Sequence, residues 1–261
     1  MNPGCIAVFD SGVGGLTVLA ELQRIMPGMK YVYLVDNAFF PYGTKSDHEL
    51  IQRLTKLLPP FVSRYKPDLL VVACNTASTI ALEDIRKCLP IPVVGVVPAI
   101  KPAGRLSKTR VIALLATEAT VRRKYTEQLI EDFASDCELL RVGSRNLVEY
   151  AEAKLRGERV SLDAIKQELE PIFAEKDVDT VVLACTHFDH LRVEFEAVSP
   201  RPLHWLSSST AVALRAKSIA ESLGLQSGTQ AEHVLVSTSE ISYPPSLLQN
   251  YGFAHVETMP L

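Results

Sequence analysis

Two cysteines at the ends of two matching apolar segments are the residues in this sequence best suited to chemistry. Residues 68–74 are Asp-Leu-Leu-Val-Val-Ala-Cys, and residues 179–185 are Asp-Thr-Val-Val-Leu-Ala-Cys. A short apolar run that follows a turn signal is typical of a strand buried in a parallel sheet. Ligands bind beyond the carboxyl ends of such strands. We therefore predict that Cys74 and Cys185 act on a ligand.

The two segments belong to a longer internal repeat. Cys74 and Cys185 align at an offset of 111 residues, and residues 6–11 resemble residues 112–117 at an offset of 106. Buried strands resemble one another because they are rich in Val and Leu, but this does not explain a cysteine followed by hydrogen-bonding residues in both segments. The repeat predicts two similar halves with one reactive cysteine in each.

Composition restricts the class of protein. The chain has 261 residues, 47% hydrophobic and 22% charged, which is ordinary for a globular protein with a sizeable core. A net charge of -3 argues against nucleic acid or an anionic membrane as the main partner. No segment resembles a signal peptide or a membrane span. Five irregularly spaced cysteines argue against a disulfide framework and indicate a reducing cytoplasm. No metal-ligand spacing is present, so we predict no metal site.

The elements that position the cysteines are predicted as strands alternating with helices, which indicates an α/β fold with parallel sheets. Ser46 and Glu49 form a predicted capping box that opens a helix, and Pro59-Pro60 should kink or interrupt that helix. The segment around Pro98 marks a boundary between the halves. The remaining predicted strands cover residues 5–9, 31–35, 91–97, 110–115, 137–142, 234–237 and 253–256.

Two thiols permit acid–base chemistry at carbon without a cofactor. A thiol has a reference pKa near 8.5, and an acid–base catalyst works best when its pKa is near ambient pH. One thiolate can remove a proton while a thiol on the opposite face supplies another, which inverts a stereocentre. Asp10 and His187 are each predicted near one cysteine as helpers. Asn75, Thr76 and Thr186 would hydrogen-bond a substrate.

The motifs together resemble the glutamate racemase family. They are Asp10-Ser11-Gly-x-Gly-Gly15, Pro41-Tyr42-Gly43, Ala73-Cys74-Asn75-Thr76-Ala77, Val97-Pro98-Ala99, Ala116-Thr117-x-x-Thr120 and Ala184-Cys185-Thr186-His187. The resemblance implies two pseudo-symmetric α/β lobes with the active site between them, residues 1–98 plus 209–261 forming a discontinuous first lobe and residues 99–208 the second. It also implies cofactor-free interconversion of L- and D-glutamate in the cytoplasm, supplying D-glutamate for peptidoglycan.

The resemblance also implies roles for individual residues. Cys74 would take the proton from D-glutamate with help from Asp10, and Cys185 the proton from L-glutamate with help from His187. Glu149 matches an acidic position that the family has near the site, and Glu152 competes for that assignment. The residues that would bind substrate are Asp10, Ser11, Tyr42, Gly43, Asn75, Thr76, Thr117, Thr120, Thr186 and His187.

Some residues depart from the family pattern. Ala184 replaces a usual Gly and Asp189 a usual Pro, which puts the turn after Cys185 in question, and Ser207-Ser208 replaces an Asp-Ser. Longer relatives carry an N-terminal extension linked to activation by a cell-wall precursor, a control that we do not expect in this chain.

The residues leave three alternatives open. Aspartate racemases use the same two cysteines, although Pro41-Tyr42-Gly43 and Asp10-Ser11 favour glutamate. A hydrolase with Cys185 and His187 would leave Cys74 without a role. A non-catalytic amino-acid-binding protein would have passive thiols. The sequence does not determine the oligomeric state, and a homodimer is compatible with it.

Overall fold

The computed structural model describes residues 3–228, 232–241 and 243–261. The strands are β1 (Cys5–Asp10), β2 (Lys30–Val35), β3 (Leu69–Val72), β4 (Val93–Gly95), β5 (Val111–Ala116), β6 (Glu138–Gly143), β7 (Val178–Ala184), β8 (His204–Leu206), β9 (His233–Ser237) and β10 (Phe253–Thr258). The α-helices are α1 (Leu16–Ile25), α2 (Asp47–Tyr65), α3 (Asn75–Cys88), α4 (Ile100–Leu106), α5 (Glu118–Val121), α6 (Lys124–Phe133), α7 (Asn146–Leu155), α8 (Leu162–Ala174), α9 (Arg192–Val198), α10 (Ser209–Ser222) and α11 (Pro245–Asn250). Short 3-10 helices cover Asn37–Phe39, Tyr42–Thr44 and Thr186–Leu191.

The chain divides into two compact units, one formed by Met1–Val96 with Ser209–Leu261 and the other by Val97–Ser208. Over the described ranges, the first unit has a six-stranded sheet of order β10-β9-β2-β1-β3-β4, and the second a four-stranded sheet of order β6-β5-β7-β8. All of the strand pairs in these two sheets are parallel. The predicted α/β class with mostly parallel sheets is confirmed.

The internal repeat is visible in the strand order and in the register. The order β2-β1-β3-β4 in the first sheet matches β6-β5-β7-β8 in the second. Ile6 pairs with Leu69, and the residues at the two sequence offsets, Ile112 and Thr180, pair in the same way. β3 and β7, the strands that lead to Cys74 and Cys185, therefore pair with β1 and β5 in the same register.

An aspartate near the start of β3 and another near the start of β7 help to hold these strands beside their partners. Asp68 Oδ2 accepts a hydrogen bond from the backbone N–H of Cys5, at 2.8 Å. Asp179 Oδ2 accepts from the backbone N–H groups of Lys108 and Thr109, at 2.7 and 3.1 Å. Asp68 thus connects the start of β3 to the start of β1, and Asp179 connects the start of β7 to the residues just before β5.

Helix α2 follows the sequence at its start and departs from it in its middle. Ser46 and Glu49 form the predicted capping box. The helix continues through Pro59 and Pro60, so the predicted interruption is wrong. Pro60 is exposed, Pro59 is half-buried, and the opposite face packs its Leu and Phe side chains into the core. We attribute the continuity to this packing, which offsets the two missing hydrogen bonds.

Two further features limit the fold. Strand β4 covers three residues, fewer than the seven predicted, because it pairs only with Leu70, Val71 and Val72 of β3. Within the described ranges, no helix has the length and apolar composition needed to cross a membrane.

Candidate active-site residues

Cys74 lies in the turn between β3 and α3, where it is the N-cap residue of the helix. Its side chain is buried, with 5% exposed. Its Sγ accepts a hydrogen bond from the backbone N–H of Ala77 at 3.4 Å. A helix N-terminus favours negative charge through its free N–H groups and its dipole. The turn therefore places this sulfur where a thiolate is stabilised.

Asp10 ends β1, the strand next to β3, and its side chain is fully buried. Its Oδ1 accepts hydrogen bonds from the Gly12 N–H at 3.1 Å and from the Ser11 hydroxyl at 3.2 Å. The Ser11 hydroxyl oxygen also lies 3.8 Å from Cys74 Sγ. The serine thus links the carboxylate to the thiol, as expected if Asp10 assists Cys74.

Gly15 lies in a closely packed part of the turn after β1. A Cβ atom at this position would lie 2.8 Å from Asp10 Oδ2 and 2.9 Å from the Tyr33 hydroxyl oxygen. That hydroxyl donates to the Gly12 carbonyl at 2.9 Å. Any larger residue would therefore displace the carboxylate beside Cys74. The glycine is required by close packing here.

Tyr42 is buried in the same apolar cluster as Cys74. Its hydroxyl donates to Asp36 Oδ2 at 2.6 Å. Burial, followed by the charge and hydrogen bond of Asp36 and the charge of Cys74, raises the pKa of Tyr42 well above its usual value. The phenol therefore stays protonated. Gly43 follows in the same 3-10 helix and is half-buried.

Asp36 is a buried residue that the sequence analysis missed. It also accepts two hydrogen bonds from Arg53, at 2.9 and 2.6 Å, and one from the Thr238 hydroxyl at 2.7 Å. A signal was available, since Asp36 follows β2 directly, and its backbone N–H donates to the Asp10 carbonyl. Asp36, like Asp10, is an acidic residue at the end of a buried strand, and this position made it a candidate site residue.

Asn75 and Thr76 begin α3 and are both buried. The Asn75 Oδ1 atom is buried and has no hydrogen-bond partner among the described residues. A buried polar atom without a partner costs free energy and is typical of a position that a ligand satisfies. An oxygen accepts from a donor such as an ammonium group.

Cys185 follows β7 and precedes the 3-10 helix Thr186–Leu191. Its Sγ lies 3.9 Å from His187 Nδ1, and His187 Nε2 lies 2.8 Å from Glu152 Oε1. All three side chains are buried. Burial alone would lower the pKa of His187, but the hydrogen bonds and charges of Cys185 and Glu152 hold it well above its usual value. This sequence of groups suits an imidazolium that stabilises a thiolate.

Of the two acidic residues weighed from the sequence, Glu152 is the one that contacts His187. Glu149 is exposed and pairs with Arg145 at 3.0 Å, four residues away on the same helix. The apolar stripe of α7 passes through Val148 and Ala151, and Glu152 lies four residues after Val148, on that stripe. Helical periodicity could therefore have favoured Glu152. The structure gives Glu149 no contact with Cys185 or His187 among its hydrogen bonds and ion pairs in the described ranges.

Three threonines predicted to bind substrate also lie in the second unit. Thr117 and Thr120 share a hydrogen bond between their hydroxyl oxygens at 2.9 Å, at the carboxyl end of β5. Thr186 is buried and follows Cys185. Because one hydroxyl of the Thr117–Thr120 pair donates to the other, the second is able to donate to a ligand.

The turn after Cys185 forms despite its unusual residues. Asp189 Oδ1 accepts hydrogen bonds from Arg192 at 3.0 and 2.7 Å, and Arg192 also donates to the Trp205 carbonyl at 2.7 Å. Arg192 thus connects the turn that contains Asp189 to β8.

Among the described residues, the other three cysteines belong to no metal-ligand cluster. The other cysteines are free; Cys5 is buried in the core, and Cys88 and Cys137 are half-buried. Burial raises the pKa of the Cys5 thiol to about 11, so this thiol is protonated at neutral pH. Within the described ranges, no group of three or more His, Cys, Asp or Glu residues has the geometry to hold a metal ion.

Comparison with known proteins places the chain in a family. Residues 14–216 match the model of the Asp/Glu/Hydantoin racemase family. A glutamate racemase from Pectobacterium atrosepticum is 43% identical over 260 residues, which cover 98% of this chain and 91% of that protein. The structure of Escherichia coli glutamate racemase, crystallised with L-glutamate and the activator UDP-MurNAc-ala, is 42% identical and covers 99% of this chain and 98% of its own, with a TM-score of 0.93.

A more distant match shows only the fold. The aspartate racemase homologue from Pyrococcus horikoshii is 17% identical, with a TM-score of 0.52, and covers 83% of this chain and 98% of its own. The high identities over nearly the whole chain are to glutamate racemases. The chain therefore belongs to the Asp/Glu/Hydantoin racemase family and, within it, to the glutamate racemases.

Proposed function

We propose that this protein interconverts L- and D-glutamate by a two-thiol acid–base mechanism that uses no cofactor. The observation that carries the proposal is the pair of buried cysteines at equivalent strand ends, each with its own titratable helper in its own unit. A proton acceptor and a proton donor of the same chemical type suit a reaction whose substrate and product are enantiomers. A hydrolase would need only the Cys185–His187 pair.

Cys74 is proposed as the base that acts on D-glutamate. The thiolate takes the α-proton and becomes a thiol, and the electron pair of the broken C–H bond remains on the α-carbon. Before this step, the hydrogen bond from the Ala77 N–H to Cys74 Sγ stabilises the thiolate. Asp10, linked through the Ser11 hydroxyl, can receive or return the thiol proton between turnovers.

Cys185 is proposed as the acid in the same direction and as the base toward L-glutamate. Its thiol protonates the carbanion on the opposite face and becomes a thiolate, so that each turnover transfers one proton from substrate to Cys74 and one from Cys185 to product. His187, held by Glu152, stabilises that thiolate and can return its proton. The opposite direction uses the same groups with their protonation states exchanged.

Polar groups around each thiol are proposed to bind the substrate. Asn75 Oδ1 would accept from the α-ammonium group, which would satisfy this buried oxygen. The remaining proposed substrate contacts are the side chains or backbone of Asp10, Ser11, Tyr42, Gly43, Thr76, Thr117, Thr120, Thr186 and His187. A site built to pair a carboxylate at a fixed reach discriminates against a shorter diacid, because its buried donors would be left unpaired.

We further propose that the enzyme works in the cytoplasm and supplies D-glutamate for peptidoglycan. The family membership supports this role, since the relatives with high identity over nearly the whole chain are glutamate racemases. The two compact units would correspond to the two catalytic lobes, with Cys74 and Asp10 on the first and Cys185 and His187 on the second.

The proposal is tested with Cys74→Ala and Cys185→Ala. Each variant should lose racemisation of glutamate by at least about 100-fold, since a positioned acid–base group contributes about 10²–10⁴-fold. Circular dichroism measures racemisation, and proton NMR in D2O measures exchange of the α-proton. Cys88→Ala is the matched control, because this half-buried cysteine lies at the far end of α3.

Three outcomes would contradict the proposal. Substantial racemisation in either single variant would exclude the two-thiol scheme, and loss of activity in Cys185→Ala alone would favour the hydrolase alternative. Comparable turnover of aspartate and glutamate by the unmodified enzyme would contradict the assigned substrate.

A further inference from the structure

Helix α7 carries Glu152, which hydrogen-bonds His187, so the position of this helix affects the orientation of the His187 ring. Glu152 lies near the carboxyl end of this ten-residue helix and reaches His187 in the turn Thr186–Leu191. A 2.8 Å hydrogen bond leaves little freedom for the helix to slide relative to the turn. A residue that fixes α7 against the turn would consequently act on His187 and Cys185 without touching either.

Lys154 makes that connection. It lies two residues after Glu152, and its Nζ donates to the His190 carbonyl at 2.8 Å and to Glu194 at 2.8 Å. His190 belongs to the same turn as His187, and Glu194 to the following helix α9. The ammonium group thus joins the helix that holds Glu152 to both the turn and the helix after it.

The opposite end of α7 is fixed separately. Glu168 of α8 accepts hydrogen bonds from the Ser144 hydroxyl at 2.6 Å and from the Asn146 amide at 2.7 Å. Ser144 also accepts from the Leu147 N–H at 3.1 Å, in the first turn of the helix. With its beginning held against α8, the carboxyl end of α7 is held to the His187 turn by the Glu152–His187 hydrogen bond and by Lys154.

We propose that Lys154 is a positioning residue for proton transfer at Cys185, acting through Glu152 and His187. The inference rests on the proposed function, in which Cys185 removes the proton from L-glutamate. Lys154 is half-buried and Glu194 is more buried than Lys154. An ion pair of this exposure adds little to stability. A variant at Lys154 should therefore still fold, and its effect on the proton transfer at Cys185 can be measured directly.

The test is Lys154→Met, which keeps the length of the side chain and removes the charge and the donors. Because Glu152 keeps its own bond to His187, we expect kcat/KM to fall by about 2- to 5-fold, far less than the roughly 100-fold that a displacement of about 1 Å can cost. The equilibrium constant between enantiomers is one, so kcat/KM must fall equally in both directions. The primary α-deuterium isotope effect should rise from L-glutamate and fall from D-glutamate.

Three further variants make the result specific. Lys154→Arg, which retains charge and donors, should keep the isotope effects of the unmodified enzyme. Glu194→Gln, which leaves the His190 carbonyl contact, should shift them in the same direction as Lys154→Met but less. Lys217→Met removes an exposed lysine paired with Glu221 at 3.8 Å in the first unit and should change nothing.

Unchanged isotope effects in Lys154→Met, with or without a lower kcat, would overturn the proposal, because a merely structural role lowers the active fraction equally for both enantiomers. If Lys154→Met does not fold, unchanged isotope effects in Glu194→Gln would overturn it. Failure of the proposed function is distinguishable, since Cys185→Ala would then still racemise glutamate.

Discussion

Replacing His187 by Asn tests whether each thiol has its own helper. The substitution removes the imidazolium beside Cys185 and leaves a neutral amide that can still donate a hydrogen bond. Asp10→Asn makes the corresponding change beside Cys74. If His187 serves Cys185 and Asp10 serves Cys74, each variant should impair the proton transfer on its own side of the reaction.

The expected magnitude follows from the distance between the two atoms. Unit charges about 4 Å apart interact by about 4 kcal/mol at an effective dielectric constant near 20, and His187 Nδ1 lies 3.9 Å from Cys185 Sγ. A neutral hydrogen bond is roughly half as strong as a charge-assisted one, so the Asn amide should recover roughly half of that interaction. The remaining loss of about 2 kcal/mol corresponds to about 30-fold in rate. This is smaller than the loss expected for removing the thiol itself.

The assay is the primary isotope effect with α-deuterated L- and D-glutamate. The free energies of the enantiomers are equal, so neither variant can change the ratio of kcat/KM values between directions. In His187→Asn the isotope effect should increase from L-glutamate and decrease from D-glutamate, because the step at Cys185 becomes the slower one. Asp10→Asn should show the opposite pattern. Equal isotope effects from both enantiomers in both variants would refute the assignment of helpers.

Two other predictions concern the same group of residues. Glu152→Gln keeps an oxygen for His187 but removes the charge. Because a charge-assisted hydrogen bond is about twice as strong as a neutral one, kcat should fall by about 3- to 10-fold, whereas the kcat of Glu149→Gln should stay within about 2-fold of the unmodified enzyme. The reverse order in steady-state kinetics would assign the role to Glu149 instead. The raised pKa of His187 stabilises the fold fully below the unfolded value near 6.5, and this stabilisation is lost as pH rises through the folded pKa. The difference in free energy of unfolding between the unmodified protein and His187→Asn should therefore be larger at pH 6 than at pH 9 in urea titrations, and a constant difference would exclude this linkage.

The sequence predicted those features that depend on short segments. The two apolar runs ending in cysteine became β3 and β7, because a short run of Val and Leu after an aspartate has few alternatives to a buried strand. The capping box at Ser46 formed because its hydrogen bonds join residues three apart. The offsets of the repeat predicted two similar halves, and the equivalent registers of β1 with β3 and of β5 with β7 agree with that prediction.

Features that depend on distant segments could not be predicted. The Thr238 hydroxyl donates to Asp36, 202 residues away in the sequence. No local pattern at Thr238 indicates that the preceding strand, β9, pairs with β2. The partner of His187 was ambiguous for a different reason. Glu149 and Glu152 are three residues apart on one helix, so the motif does not separate them, and only the apolar stripe through Val148 and Ala151 favours Glu152.

The matching strand order of the two sheets has a consequence for the energy profile of the reaction. Both units are built from L-amino acids, and the order β2-β1-β3-β4 of the first matches β6-β5-β7-β8 of the second, so neither unit can be the mirror image of the other. In the proposed mechanism the two enantiomers would lose their α-protons to thiols with different surroundings: a carboxylate linked through a serine at Cys74, and an imidazole held by a glutamate at Cys185. The barriers for the two proton transfers need not be equal, although the equilibrium constant remains one. A substitution beside one thiol can thus change one proton-transfer barrier without changing the other, while the equilibrium constant stays at one.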